Sequence, residues 1–135
     1  MRYLVTGSQM RAIDQDTIQN IGIPSLVLME RAAECVARKA EQLCDQKTLQ
    51  ILAICGVGNN GADGVAAARM LYLHGFDVLV VVVGNEAHAT KEFEVQKGIA
   101  EKLEIPVVDW EHFLHGEDEQ KAGDRAIIDA VFGVG

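Results

Sequence analysis

Two periodicities divide this chain. Near its start Met10, Ile13, Thr17 and Ile18 recur at roughly helical spacing, with Ser8 placed to cap the helix and Gly22 just past its end. A first helix over residues 8–19 is therefore expected. A stronger helical stripe follows over residues 25–43, where Met29, Ala33, Val36, Ala37, Ala40 and Leu43 share one face. After Leu49 the pattern becomes short apolar runs separated by helical stretches. Residues 49–55 (LQILAIC), 77–83 (DVLVVVV), 105–110 (IPVVDW) and 125–131 (RAIIDAV) read as strands, the first two apolar enough to be buried on both faces. Residues 61–74 and 90–103 read as the helices between them, and Pro106 suits an edge strand.

Strand and helix in alternation imply a parallel α/β sheet with right-handed crossovers. The expected fold is a three-layer, Rossmann-like parallel sheet, of order 3-2-1-4 for the part present, preceded by two N-terminal helices. In that order the first and fourth strands are neighbours, and the switch point between them is where such sheets bind ligands, at the carboxyl ends of the strands. The loops of residues 56–64 and 129–135 are expected to face each other there. No repeat, linker or low-complexity tract interrupts the pattern, so residues 1–135 read as one domain.

Charge narrows the partners. A net charge of -8 repels nucleic acid and anionic membrane surfaces, so a phosphorylated ligand has to be held by backbone amides and helix ends. The longest apolar run, residues 78–83, is far shorter than the roughly 20 residues of a membrane helix. Cys35, Cys44 and Cys55 lack metal-site spacing and are expected as reduced core residues. With no signal-peptide pattern at the start, the cytoplasm is the expected location.

The stretch CGVGNNGADG carries the chemistry. Gly56-Val57-Gly58-Asn59-Asn60-Gly61 matches the spacing of the dinucleotide fingerprint, after an expected strand and before an expected helix. Its glycines permit a tight turn, and free amides at a helix start attract phosphate. The acid that should end the second strand and hold a ribose is missing, because Glu86 lies beyond it in a loop. Asn59 and Asn60 have two readings: turn chemistry, or amide oxygens aimed into the cleft as ligands for a hard cation. Asp63 either accepts a hydrogen bond from a ligand hydroxyl or complements the helix dipole. Asp129, in an otherwise apolar strand, must be paired, coordinated or solvated. It either caps the next turn or, opposite Asn60, completes an oxygen-rich pocket for a monovalent cation. Gly133 and Gly135 behind it offer further amides. His112 and His115 read as part of a solvated loop rather than a metal site, His74 as a dipole partner, Glu117, Asp118 and Glu119 as surface charge, and Met29 as packing.

Four segments in order, SQMRAIDQDTI, GIPSLVLMERAA, GVGNNGADG and IIDAVFGVG, resemble the YjeF N-terminal-domain family, the NAD(P)HX epimerases. The resemblance runs from about Thr6 to Gly135. It implies an isomerase that interconverts the S and R epimers of hydrated NADH and NADPH, in metabolite repair alongside a dehydratase that acts on one epimer. It implies substrate contacts at Asn59, Asn60, Gly61, Ala62 and Asp63 and at Gly133, Val134 and Gly135. It implies potassium ligands at Asn60 and Asp129. Asp129 is also the residue expected to lie closest to the chemistry. Family loops carry glycine where this chain has Ala62. Family domains also continue into a further motif, Val-Asp-hydrophobic-Pro-Ser-Gly, so this chain corresponds to the first two-thirds of such a domain, truncated after the fourth strand. That strand is then expected to be an exposed edge carrying Ile127 and Ile128, open to a second copy in a homodimer. Two alternatives accompany this reading: a non-catalytic nucleotide- or partner-binding module of the same fold, and a nicotinamide dehydrogenase half-domain with ribose contacts from Glu86.

Overall fold

The structure is a computed structural model that describes residues 4–44, 49–116 and 123–132. Its first helix, α1 (Gly7–Asp16), is capped by Thr6 rather than Ser8. Gln9 decides this. The Thr6 hydroxyl accepts from the Gln9 N–H at 3.2 Å while the Gln9 side-chain oxygen accepts from the Thr6 N–H at 2.8 Å, a reciprocal pair that Ser8 cannot form. The helix then widens into a π-helical turn, Thr17–Ile21, where the Thr17 hydroxyl donates to the Ile13 carbonyl at 2.8 Å. Gly22, with φ of 92°, ends it. Neither α1 nor this turn buries a residue.

Helix α2 (Ser25–Leu43) has the expected bounds, but its buried face is narrower than the apolar stripe. Met29, Ala33 and Ala37 are buried and Ala40 packs beside them, whereas Val36 and Leu43 stand exposed on the shoulder. Helix α3 (Asn59–Leu73) is apolar nearly all round and is buried accordingly, from Gly61 and Ala62 through Ala68 to Leu71. It packs on α2, on α4 (Lys91–Lys102) and on the sheet. Arg69 of α3 pairs with Glu30 of α2, and the buried Gln96 of α4 donates to the same Glu30 carboxylate at 3.3 Å. The three helices therefore share one polar contact at the half-buried Glu30.

Strands β1 (Gln50–Cys55), β2 (Asp77–Val82), β3 (Val107–Asp109) and β4 (Arg125–Ala130) form one parallel sheet in the order β3-β2-β1-β4, as the alternation implied. Gln50 aligns with Asp77 on one side and Arg125 on the other, and Cys55 with Val82 and Ala130. The main core lies between this sheet and α2, α3 and α4. A smaller cluster, Leu52, Leu79, Val81 and Phe113, lies on the other face beneath α5 (Trp110–His115). That helix stands where a loop was expected. Asp109 ends its strand and accepts from the His112 N–H at 2.6 Å, which caps a helical turn. The sequence reading also misplaced two sets of side chains. Ile128 packs with Ala126 and Ala130 against the main core, and only Ile127, 62% exposed, faces outward from the edge strand. Of the cysteines Cys55 alone is buried, Cys44 is half-buried and Cys35 exposed.

These positions differ sharply in what truncation removes. Leu71→Ala empties a fully buried site and is expected to cost about 2–5 kcal/mol, while Ile127→Ala at the open edge changes stability by about 0.5 kcal/mol or less. Urea denaturation of both variants checks the contrast.

Candidate functional site

The carboxyl end of the sheet is held together by backbone. Beyond the strands, the Val83 N–H donates to the Cys55 carbonyl at 2.8 Å and the Gly56 N–H to the Ala130 carbonyl at 3.0 Å, so both ladders of β1 run one step further. The turn that follows folds onto itself. A Cβ on Gly61 would lie 1.7 Å from the Gly56 carbonyl oxygen, and one on Gly56 would lie 2.5 Å from the Val131 carbonyl oxygen. These two glycines are required by the chain's contact with itself. Gly58 differs, since a Cβ there meets nothing within 4 Å. It is the fingerprint glycine whose open side a ligand can approach.

Gly58 adopts an extended conformation and starts α3 without a side-chain cap, so Asn59 and Asn60 belong to the first helical turn rather than to the preceding loop. The amides of Asn59, Asn60 and Gly61 have no carbonyl four residues back within the helix, whereas the Ala62 N–H reaches the Gly58 carbonyl at 3.0 Å. Three amides thus point out of the helix start, where its dipole is positive. The Asn60 side-chain amide donates to the Phe132 carbonyl at 2.7 Å and ties this turn to the segment after β4. Asn59 is exposed. Ala62 is wholly buried, so the methyl that sets this loop apart from family loops packs into the core.

Asp63 sits one turn into α3. Burial, and after it the negative charge of Asp14 on α1, pushes its carboxyl up to about 6 from the ordinary 3.8. Asp129 lies on the opposite face of the sheet from α3, where one of its oxygens accepts from the Val131 N–H at 3.2 Å. With Ile54, Val83, Trp110, Ile127 and Val131 it lines a cleft of about 310 Å³. The structure brings the two expected loops together through Gly56 with Val131 and Asn60 with Phe132. Gly133, Val134 and Gly135 lie outside the described residues, as do Glu117, Asp118 and Glu119.

The remaining candidates fall away from this end. Glu86 belongs to a short 3-10 turn and pairs with Lys97 of α4, which leaves the ribose role of the fingerprint unfilled. His74 pairs with Glu41. His112 and His115 are exposed on α5, and among the described residues no group of three or more His, Cys, Asp or Glu side chains could hold a metal ion. Burial pushes the Cys55 thiol up to about 12, which removes it as a nucleophile. Trp110, which lines the cleft beside Asp129, begins α5 rather than ending a strand. Asp109 before it and Gly116 after the apolar Phe113 and Leu114 were the available signals for a short helix.

A parallel sheet with a glycine turn and an uncapped helix start at its switch point defines a Rossmann-like α/β protein. The family model described as YjeF-related protein N-terminus matches residues 25–135, and the chain belongs to that family. Over 131 residues it is 44% identical to the NAD(P)H-hydrate epimerase of Limosilactobacillus fermentum and 37% identical to that of Oenococcus oeni, in each case over 97% of this chain and 59% of the relative. The chain thus spans about three-fifths of the length of these relatives. The crystal structure of the yeast protein ynu0, YNL200c, superposes with a TM-score of 0.85 at 25% identity, over 98% of this chain and 58% of the yeast one.

The glycine geometry gives a paired test. Gly61→Ala is expected to destabilise by about 3 kcal/mol or more, since the clash is with backbone, and Gly58→Ala by less than about 1 kcal/mol. Thermal denaturation compares them. Asp63 adds a pH dependence of defined sign. Its folded pKa exceeds the unfolded one, so its favourable contribution is complete below pH 3.8 and is lost as pH rises through about 6. Asp63→Asn should flatten that fall in a series of denaturation curves taken from pH 4 to 7.

Proposed function

We propose that this chain carries the nucleotide-holding part of an NAD(P)H-hydrate epimerase, acting on the S and R epimers of hydrated NADH and NADPH. The observation that carries the reading is the Asn60 amide bonded to the Phe132 carbonyl at 2.7 Å. It joins an uncapped helix start to the end of β4, the two elements that flank a nucleotide at a switch point. The names of the relatives agree with it. In this reading the amides of Asn59, Asn60 and Gly61 hold a phosphate, with backbone access past Gly58. The backbone at Ala62 shapes the turn, and Asp63 accepts from a ligand hydroxyl. Gly133, Val134 and Gly135 supply the second set of amides.

Asn60 and Asp129 are the residues that would hold potassium. With its nitrogen committed to Phe132, Asn60 has its amide oxygen on the other side of the group, and Asp129 has a second carboxylate oxygen besides the one bonded to Val131; both are the hard donors such an ion takes. The ion would supply positive charge beside the phosphates. Asp129 holds the proton-handling role nearest the hydrated ring. A dehydratase that consumes one epimer is the partner in repair, and a second copy pairing along β4 is the expected homodimer. No described helix is long and apolar enough to cross a membrane. A nucleotide-binding module of the same fold without turnover is the second reading.

Epimerisation of hydrated NADPH, followed by coupling to a dehydratase, separates the two. Asn60→Ala and Asp129→Ala are expected to lower turnover by about 100-fold or more and to abolish its dependence on potassium. Calorimetric binding of hydrated NADPH without turnover in the unaltered chain leaves the module reading, and no binding ends both.

A further inference from the structure

We infer that Arg69 and Gln96, anchored on Glu30, build an internal site for one water molecule, which accepts from the Arg69 Nε–H and donates to the Gln96 Oε1, bridging α3 to α4. The site is independent of the nucleotide reading, because Arg69 stands in the second half of α3, away from its open start. Two buried polar atoms carry the inference. Among the described residues neither the Arg69 Nε nor the Gln96 Oε1 has a hydrogen-bond partner, although other atoms of both side chains are held. The Arg69 Nη2 and the Gln96 Nε2 donate to the same oxygen of Glu30, the second at 3.3 Å. One donor and one acceptor are left, each a single planar group away from a shared anchor.

The Gln96 amide cannot turn round to exchange its ends. Its oxygen would then face the Glu30 oxygen, acceptor against acceptor, and its nitrogen would lose Glu30. Gln96 is 1% exposed and the Arg69 side chain 15%, so bulk solvent serves neither atom. Ala33, Ala66 and Phe93, one turn from Glu30, Arg69 and Gln96 on their helices, are wholly buried and offer only apolar surface. The Met29 sulfur, 3.8 Å from the Gln96 amide nitrogen, is a weak acceptor and cannot donate. A buried donor or acceptor left in this way costs its whole desolvation, and native interiors satisfy such groups with ordered water. The chemistry also selects the ligand, which must accept and donate at once. A metal ion or ammonium cannot accept from Arg69, and a halide would face the Gln96 oxygen and the Glu30 carboxylate. Water does both.

A high-resolution crystal structure of the unaltered chain is expected to show one water between Nε and Oε1. Magnetic relaxation dispersion of water oxygen is expected to count it among the long-lived waters in solution. Arg69→Lys keeps a cation for Glu30 without an Nε–H, and Gln96→Met nearly keeps the volume without an acceptor; each is expected to lose one long-lived water. Ile127→Ala at the open edge is expected to lose none. A direct bond between Arg69 and Gln96, two separate waters, or dispersion unchanged in either Arg69→Lys or Gln96→Met overturns the site. So does an anomalous-scattering peak at this place in crystals grown with rubidium and bromide, which marks an ion instead. If Gln96→Met does not fold, Arg69→Lys and the crystal structure decide.

Discussion

The contact between the Gly56 carbonyl and Gly61, too close to admit a side chain, sets the position of everything at this end of the molecule. It lets α3 begin directly above the end of β1, so the helix start reaches the switch point with its amides open. One residue pair along, Gly64 meets Ala130 and Cys55 with no room for a methyl, and α3 is thereby pressed onto β1 and β4. A close-packed interior transmits such a constraint because it cannot relax around added volume. The glycines that look like ligand chemistry are thus mostly architecture, and Gly58 is the one left open to a guest.

Charge is placed to keep that architecture rigid. The Arg69 guanidinium and the Gln96 amide both meet Glu30, linking α3, α4 and α2, while Ser25 at the start of α2 donates to Glu92 of α4 at 3.1 Å. A half-buried carboxylate with two donors offsets its desolvation, and removing either partner leaves a costly remainder. Among the described residues no donor offsets the burial of Asp63 in this way. Burial and Asp14 both work against its ionised form, which leaves it a weak acid at the edge of the helix start. Such a carboxyl keeps its proton to a higher pH than a surface aspartate does.

The two faces of the sheet are unequally covered. Helices α3 and α4 pack on one face with α2 against α3, and among the described residues only the short α5 packs on the other, so Ile54, Val83 and Ile127 line a cleft instead of a core. The edge strand β4 adds to that openness, with Ile127 outward. Apolar surface next to a carboxylate at the ends of the strands has the composition of a ligand pocket.

Much of the fold was legible before any coordinates. Buried apolar runs alternating with helices gave the parallel sheet and its order, and glycines between a strand and a helix marked the turn, because these signals depend on neighbours close in the chain. Four motifs in sequence marked the family. Tertiary structure decided the rest. Whether Asn60 belonged to a loop or a helix depended on Gly58 taking the N-cap, and its amide found Phe132, 72 residues away. Which of Ile127 and Ile128 met the core was invisible in a nearly continuous apolar run, since only an alternating pattern encodes sidedness. The methyl of Ala62, in a turn where family loops carry glycine, packs into the core, and Trp110 stands in a cleft wall at the start of a helix rather than at the end of a strand. Sequence determined which elements form, because hydrogen bonding and periodicity are local; the fold alone chose which side chains share a site, because that depends on contacts between segments far apart in the chain.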